Sequence, residues 1–127
     1  MHENFLFEYA VIRLVPKVER EEFLNIGIIL YCRQKDFLQA LFTLDEKRIR
    51  IFCTELDIAE LKEYLLSFEK ICKGGKEAGP IGELDIAARF RWLTATRSTI
   101  VQFSKVHPGL CTDPQEMLTR LHEQLVL

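Results

Sequence analysis

Three apolar runs joined by short connections constrain this chain more than any other feature. Phe5 to Val15, Phe23 to Cys32 and Phe37 to Leu44 are rich in β-branched and aromatic residues, as strands buried on both faces are. Seven residues, Pro16 to Glu22, join the first pair, and four polar ones, Arg33 to Asp36, join the second. A parallel crossover needs a dozen or more residues, so neighbours this close in sequence must run antiparallel. The first third is predicted to be a three-stranded meander.

The period then changes. Ile58, Leu61, Leu65, Phe68 and Cys72 align on one face of a helix. Asp57 is placed to cap it, Glu60 three residues on resembles a capping box, and Gly74-Gly75 ends it. A loop through Pro80-Ile81-Gly82 leads to a second predicted helix from Asp85 to about Leu93, burying Ile86, Phe90 and Leu93. Ser98 to His107 reads as a fourth strand. Asp113-Pro114, with Glu116 behind them, opens a last helix whose stripe is Leu118, Leu121 and Leu125. Residues 45–52 fit a short helix or another strand. The expectation is one α+β domain over residues 1–127, with an antiparallel sheet, the meander plus a later strand, and about three helices covering one face.

Composition narrows the function classes. At 127 residues, with 48% hydrophobic and 28% charged, the chain can bury a core without disulfide or metal staples. A formal charge of −2 excludes a polybasic protein that embraces nucleic acid with its whole surface, though not a local basic patch. Cys32, Cys53, Cys72 and Cys111 form no CxxC pair and no zinc-finger spacing, so they are expected to be free, buried thiols. The longest apolar run, Ile26 to Cys32, is strand-sized, and Met1-His2-Glu3-Asn4 carries no basic leader. The expected location is the cytoplasm, without a membrane partner.

Two features single out candidate functional residues. In the first strand, Tyr9, Val11, Arg13 and Val15 share one face, so Arg13 between two valines is either half-buried or the floor of a site. If Val15 opposes Phe23, then Arg13 faces Asn25 and Val11 faces Gly27, and Tyr9, Arg13, Asn25 and Gly27 line one polar hollow. The plainer alternative pairs Arg13 with Glu8, Glu22 or backbone carbonyls and makes Gly27 a bulge.

The second feature is charge segregation. Ile86 to Thr112 holds Arg89, Arg91, Arg97 and Lys105 with no acid, and is therefore +4 within a chain of −2. Arg89-Phe90-Arg91-Trp92 interleaves basic and aromatic residues, and Arg97-Ser98-Thr99 adds hydroxyls, a combination suited to carboxylate or phosphate. Alternatively this face packs on acids such as Glu55, Glu60 or Glu63, with Trp92 a core aromatic. No P-loop, GxGxxG, HExxH, GxSxG or EF-hand pattern is present. His107 and Cys111 lack the further ligands a metal would need. An enzyme using His107 with Ser98 has no support from spacing, and no cofactor or metal is expected.

The string Tyr9-Ala10-Val11-Ile12-Arg13-Leu14-Val15-Pro16, followed by Arg20 to Gly27 with Glu22, Asn25 and Gly27, resembles the opening of a bacterial family, domain of unknown function 3037. Arg89 to Ala95, continuing through Arg97-Ser98-Thr99 and Gln102, is similar to its second landmark, and His107, Gly109 and Asp113-Pro114 also fit. Asp85-Ile86 stands where the family has Ser-Pro, and Thr96 where a proline is usual. The resemblance implies a partner-binding role, with a toxin-like kinase as one partner it suggests. The expectation is a non-catalytic interaction module binding an acidic protein through residues 86–112, the alternative a small anion- or nucleic-acid-binding domain. The candidate binding residues are Tyr9, Arg13, Asn25, Gly27, Arg91, Arg97, Ser98, Thr99, Gln102 and His107.

Overall fold

A computed structural model describes residues 3–95 and 100–127. The strands are β1 (Phe5–Leu14), β2 (Leu24–Cys32), β3 (Phe37–Phe42), β4 (Val101–Phe103) and β5 (His107–Cys111). The helices are α1 (Glu46–Phe52), α2 (Ile58–Lys73), α3 (Gly79–Gly82), α4 (Ile86–Ala95) and α5 (Pro114–Leu125). The class is α+β, and the sheet is antiparallel in the order β3-β2-β1-β4, with β5 also pairing β1. Among the described residues five helices stand where about three were expected, because the open segment 45–52 resolves to α1 and residues 79–82 close one turn as α3.

Local chemistry explains the boundaries. Asp57 accepts the Glu60 amide, Asp45 that of Arg48, and Asp113 those of Gln115 and Glu116, so an aspartate caps each of these helices. α2 ends at Gly74, whose φ of 80° suits a residue without a Cβ. β1 is long enough to take two partners on its outer side. β4 pairs with Ile12–Leu14 and β5 with Phe5–Tyr9.

That division corrects the single strand expected from Ser98 to His107. The Ser104 hydroxyl accepts the Val11 amide while the Ser104 amide donates to the Val11 carbonyl. A side chain has replaced one rung of the ladder, and the chain leaves the sheet until His107 rejoins it opposite Tyr9. Pro108 and Gly109 then fit within β5 because it is an edge strand.

The helices also do not share one face. Ala10, Ile12, Leu14, Ile29 and Tyr31 pack with Ile49 of α1, Leu61, Leu65 and Phe68 of α2, and Phe90 and Leu93 of α4. On the other side Phe7, Val11, Ile28 and Leu30 pack under Leu118 of α5. Strands buried on both faces require such a double cover, and their continuous apolar runs already demanded it. On α5 Leu118 and His122 are buried, followed by Val126 just past its end; of the expected stripe Leu118 is buried, Leu121 packs partly buried against the same cluster, and Leu125 is 37% exposed.

One irregularity shifts the expected register. Arg13 does oppose Asn25, but Ile26 is an extra residue between Ile12 and Arg13, so Ile12 opposes Gly27 and Val11 opposes Ile28. Gly27 therefore lies on the α2 side of the sheet, away from Arg13. A Cβ there would stand 2.8 Å from the Leu41 carbonyl and from Phe42 Cβ. Glycine is needed for close packing at this point and contributes nothing to a hollow beside Arg13.

Candidate functional site

On the α5 side of the sheet a polar row crosses three strands. Asn25 of β2, Arg13 of β1 and Gln102 of β4 are direct neighbours. Four residues back along β1 and on the same face, Tyr9 opposes His107, their rings 5.3 Å apart. α5 packs over β2 and β3 and is anchored beside the row, where the Asn25 amide donates to the Leu125 carbonyl at 3.1 Å.

Arg13 has no carboxylate partner among the described residues. Glu22 pairs with Arg20, and Glu8 pairs with Arg91, so both acids expected near Arg13 are engaged elsewhere. The Arg13 guanidinium instead lies 4.1 Å from the centre of the Phe23 ring, which is 46% exposed. Its Nε and the neighbouring Asn25 Oδ1 are buried without hydrogen bonds, a donor and an acceptor both left open in a half-buried position. Sequence reasoning missed Phe23 here, although an aromatic residue two positions from Asn25 was signal enough to include it.

The basic segment is less available than its charge suggested. Arg89 donates from Nη1 to the carbonyls of Ile71 (2.9 Å) and Cys72 (2.6 Å), and from Nε to that of Leu84 (3.1 Å). It thereby satisfies the carboxyl end of α2, where a cation also suits the helix dipole. Arg91 grips Glu8 bidentately at 2.6 and 2.9 Å, and Glu8 stands on the α2 side of β1. Arg91 and Arg13 thus sit on opposite faces and cannot hold one ligand together. Trp92 is 40% exposed on α4 and is not a core aromatic. Lys105 is exposed, whereas Arg97, Ser98 and Thr99 lie outside the described residues.

Burial governs two of the cysteine thiols among the described residues. Burial pushes the Cys72 thiol up to about 12 and raises that of Cys111 as well, which keeps both protonated at neutral pH. His107 and Cys111 stand at either end of β5, about 13 Å apart in an extended strand, too far to share a metal ion. Among the described residues no group of three or more His, Cys, Asp or Glu could hold a metal ion, and no helix is long and apolar enough to cross a membrane.

Residues 9–126 match the family described as Protein of unknown function (DUF3037). The chain belongs to that family. No curated protein and no solved structure matches it. The span matched to DUF3037 takes in the whole polar row and all of β1 except its first four residues. The two blocks carrying the resemblance become neighbours in the fold, since β4, reached from the second block, lies against β1 and sets Gln102 beside Arg13.

Proposed function

We propose that this DUF3037 protein is a non-catalytic interaction module whose row of Arg13, Asn25 and Gln102, flanked by Tyr9 and His107, receives an acidic group of a protein partner. The observation that carries this reading is a half-buried guanidinium with no acid beside it among the described residues. A charge removed from part of its hydration and left unpaired is costly, and an incoming carboxylate offsets that cost with hydrogen bonds of fixed geometry. Phe23 and the Tyr9–His107 pair supply flat apolar surface around it, as interface centres commonly do. The basic segment enters through Gln102, Lys105 and His107 rather than through Arg89 and Arg91, whose guanidinium groups already have partners.

Phosphate-backbone binding is the weaker reading, because affinity for nucleic acid grows with the number of cations that meet phosphates. The row presents one arginine within a chain of net charge −2. The test is titration of fluorescently labelled Asp/Glu-rich peptides and of single-stranded RNA with the wild type and Arg13→Ala. Peptide binding should weaken roughly tenfold in the variant, about 1.4 kcal/mol, with its melting temperature almost unchanged. Equal peptide binding by both proteins, or RNA bound in preference to peptide, overturns the reading.

A further inference from the structure

Asn25 belongs to the polar row and also to a cavity on its other side. Near the start of β2 the chain bulges at Ile26, and β3 ends where the Thr43 amide donates to the Ile26 carbonyl at 2.9 Å. Asp45 then caps α1. The end of α5 closes over this corner, tied to it twice: Asn25 donates to the Leu125 carbonyl, and Arg48 Nη1 donates to the Val126 carbonyl at 3.4 Å. Between β2, α1 and the end of α5 these segments leave a cavity of about 240 Å³. Its walls are largely aliphatic, built from Leu24, Ile26, Ile49 and Val126.

Close packing ordinarily fills such space, and an apolar hole of roughly 150 Å³ already accepts a benzene ring. The polar groups around this one differ in what they have left to offer. The Thr43 hydroxyl is engaged by His122, and the Asp45 carboxylate accepts the Arg48 amide. Arg48, like Arg13, has no carboxylate partner among the described residues. Asn25 Oδ1 is buried without a donor. Two guanidinium groups and one acceptor are therefore unspent, set about an aliphatic cavity.

We infer that the cavity receives an aliphatic side chain of the same partner segment, so that the segment recognised carries acids on both sides of a leucine-like residue. The inference rests on the reading of the Arg13 row given above and deepens it. A partner made of acids alone would meet the guanidinium groups and leave the cavity empty. An aliphatic partner without acids would fill the cavity and leave both arginines unpaired. An aliphatic residue between acids meets both demands: its side chain leaves water for the walls, its flanking carboxylates face Arg13 and Arg48, and its backbone N–H is the kind of donor that Asn25 Oδ1 lacks. An apolar anchor in a pocket supplies affinity, and charges at the rim set orientation.

Two labelled peptides titrated into the full chain by fluorescence anisotropy test this, Glu-Glu-Leu-Glu-Glu and Glu-Glu-Ser-Glu-Glu. The leucine peptide should bind roughly tenfold more tightly than the serine peptide. Arg48→Ala should weaken the leucine peptide roughly threefold. Leu24→Phe, which puts bulk into the cavity, should bring the leucine peptide down to the affinity of the serine peptide. A readout in the wild type holds even if Leu24→Phe fails to fold: the methyl NMR signals of Ile49 and Val126 should shift with the leucine peptide and stay in place with the serine peptide. Equal affinity for the two peptides, with Arg13→Ala still weakening both, overturns the inference and leaves the reading of the row standing. Methyl shifts confined to residues away from the cavity also overturn it. Leucine-dependent binding that Arg13→Ala leaves unchanged keeps the cavity as an aliphatic site and overturns the reading of the row instead. Binding of neither peptide overturns both.

Discussion

On one face of the sheet α2 and α4 press Leu61, Leu65, Phe68, Phe90 and Leu93 onto Ala10, Ile12, Leu14 and Ile29, and Phe90 stacks on Tyr31 with ring centres 5.1 Å apart. On the other face α5 packs over β2 and β3, while Arg13, Gln102 and the Tyr9–His107 pair remain half-buried or exposed beside it. The contrast extends to the arginines. Arg89, on the helix-rich side, spends its guanidinium on three carbonyls of its own chain, whereas Arg13 spends none on the described residues. Packing that closes one side of a sheet leaves the other free to carry a charge with no acid beside it among the described residues.

The largest effect that would break or sharpen this contrast comes from paired truncations. Leu65 is fully buried in the larger cluster and Leu118 is buried in the smaller one under α5. Leu65→Ala should cost about 3–5 kcal/mol in urea denaturation, and Leu118→Ala about 2–3, because a thinner cover relaxes further into the cavity. If Leu118→Ala costs as much as Leu65→Ala, the two faces contribute equally and the contrast fails as an account of stability.

Next comes a comparison of the two arginines. Arg89→Ala strands carbonyls at the end of α2 and should cost about 2 kcal/mol. Among the described residues Arg13→Ala strands no hydrogen-bond partner and loses the contact with Phe23, so the change should stay below about 1 kcal/mol. Thermal melts of the two variants decide between them. A larger loss for Arg13→Ala would mean that it is bonded within the fold and would remove the basis of the proposed site.

The elements were legible where one residue type carries one physical role. Asp57 and Gly74 marked the ends of α2, and the apolar runs located β1, β2 and β3 to within two residues of their ends. Legibility failed where a single residue changes the count. Strict alternation from Val15 and Phe23 put Arg13 opposite Asn25, as observed, but the extra Ile26 sends Gly27 to the far face, and nothing in a Leu-Asn-Ile-Gly string marks which residue will bulge. Ser104 is similar, since a serine side chain taking a backbone rung looks like any other polar residue in a strand. The site suffered most from charge counting. Arg89 and Arg91 added to a basic segment on paper, yet the partners that engage them, the Ile71 and Cys72 carbonyls and Glu8, lie far away in sequence.

The smallest expected effect probes the thinner cover directly. His122 lies in the buried stripe of α5, with Nε2 2.8 Å from the Thr43 hydroxyl of the strand end beneath it. Burial lowers its pKa below the ordinary value of 6.5, against smaller upward pulls from the Leu41 backbone and from Glu123. The folded chain therefore refuses a proton that the unfolded chain accepts. Its contribution to stability is complete above the ordinary histidine value and falls as pH drops through it; the loss is finished once pH passes below the depressed folded value. Urea midpoints measured at about pH 7.5 and about pH 5.5 should fall more for the wild type than for His122→Gln, which cannot be protonated in this range. Amide exchange adds location: at the lower pH the amides of α5 should quicken before those of α2, because the helix held by the buried imidazole belongs to the thinner face. Equal quickening of both helices would mean that the two faces open together, and that Arg13 lies beside a cover no weaker than the one opposite.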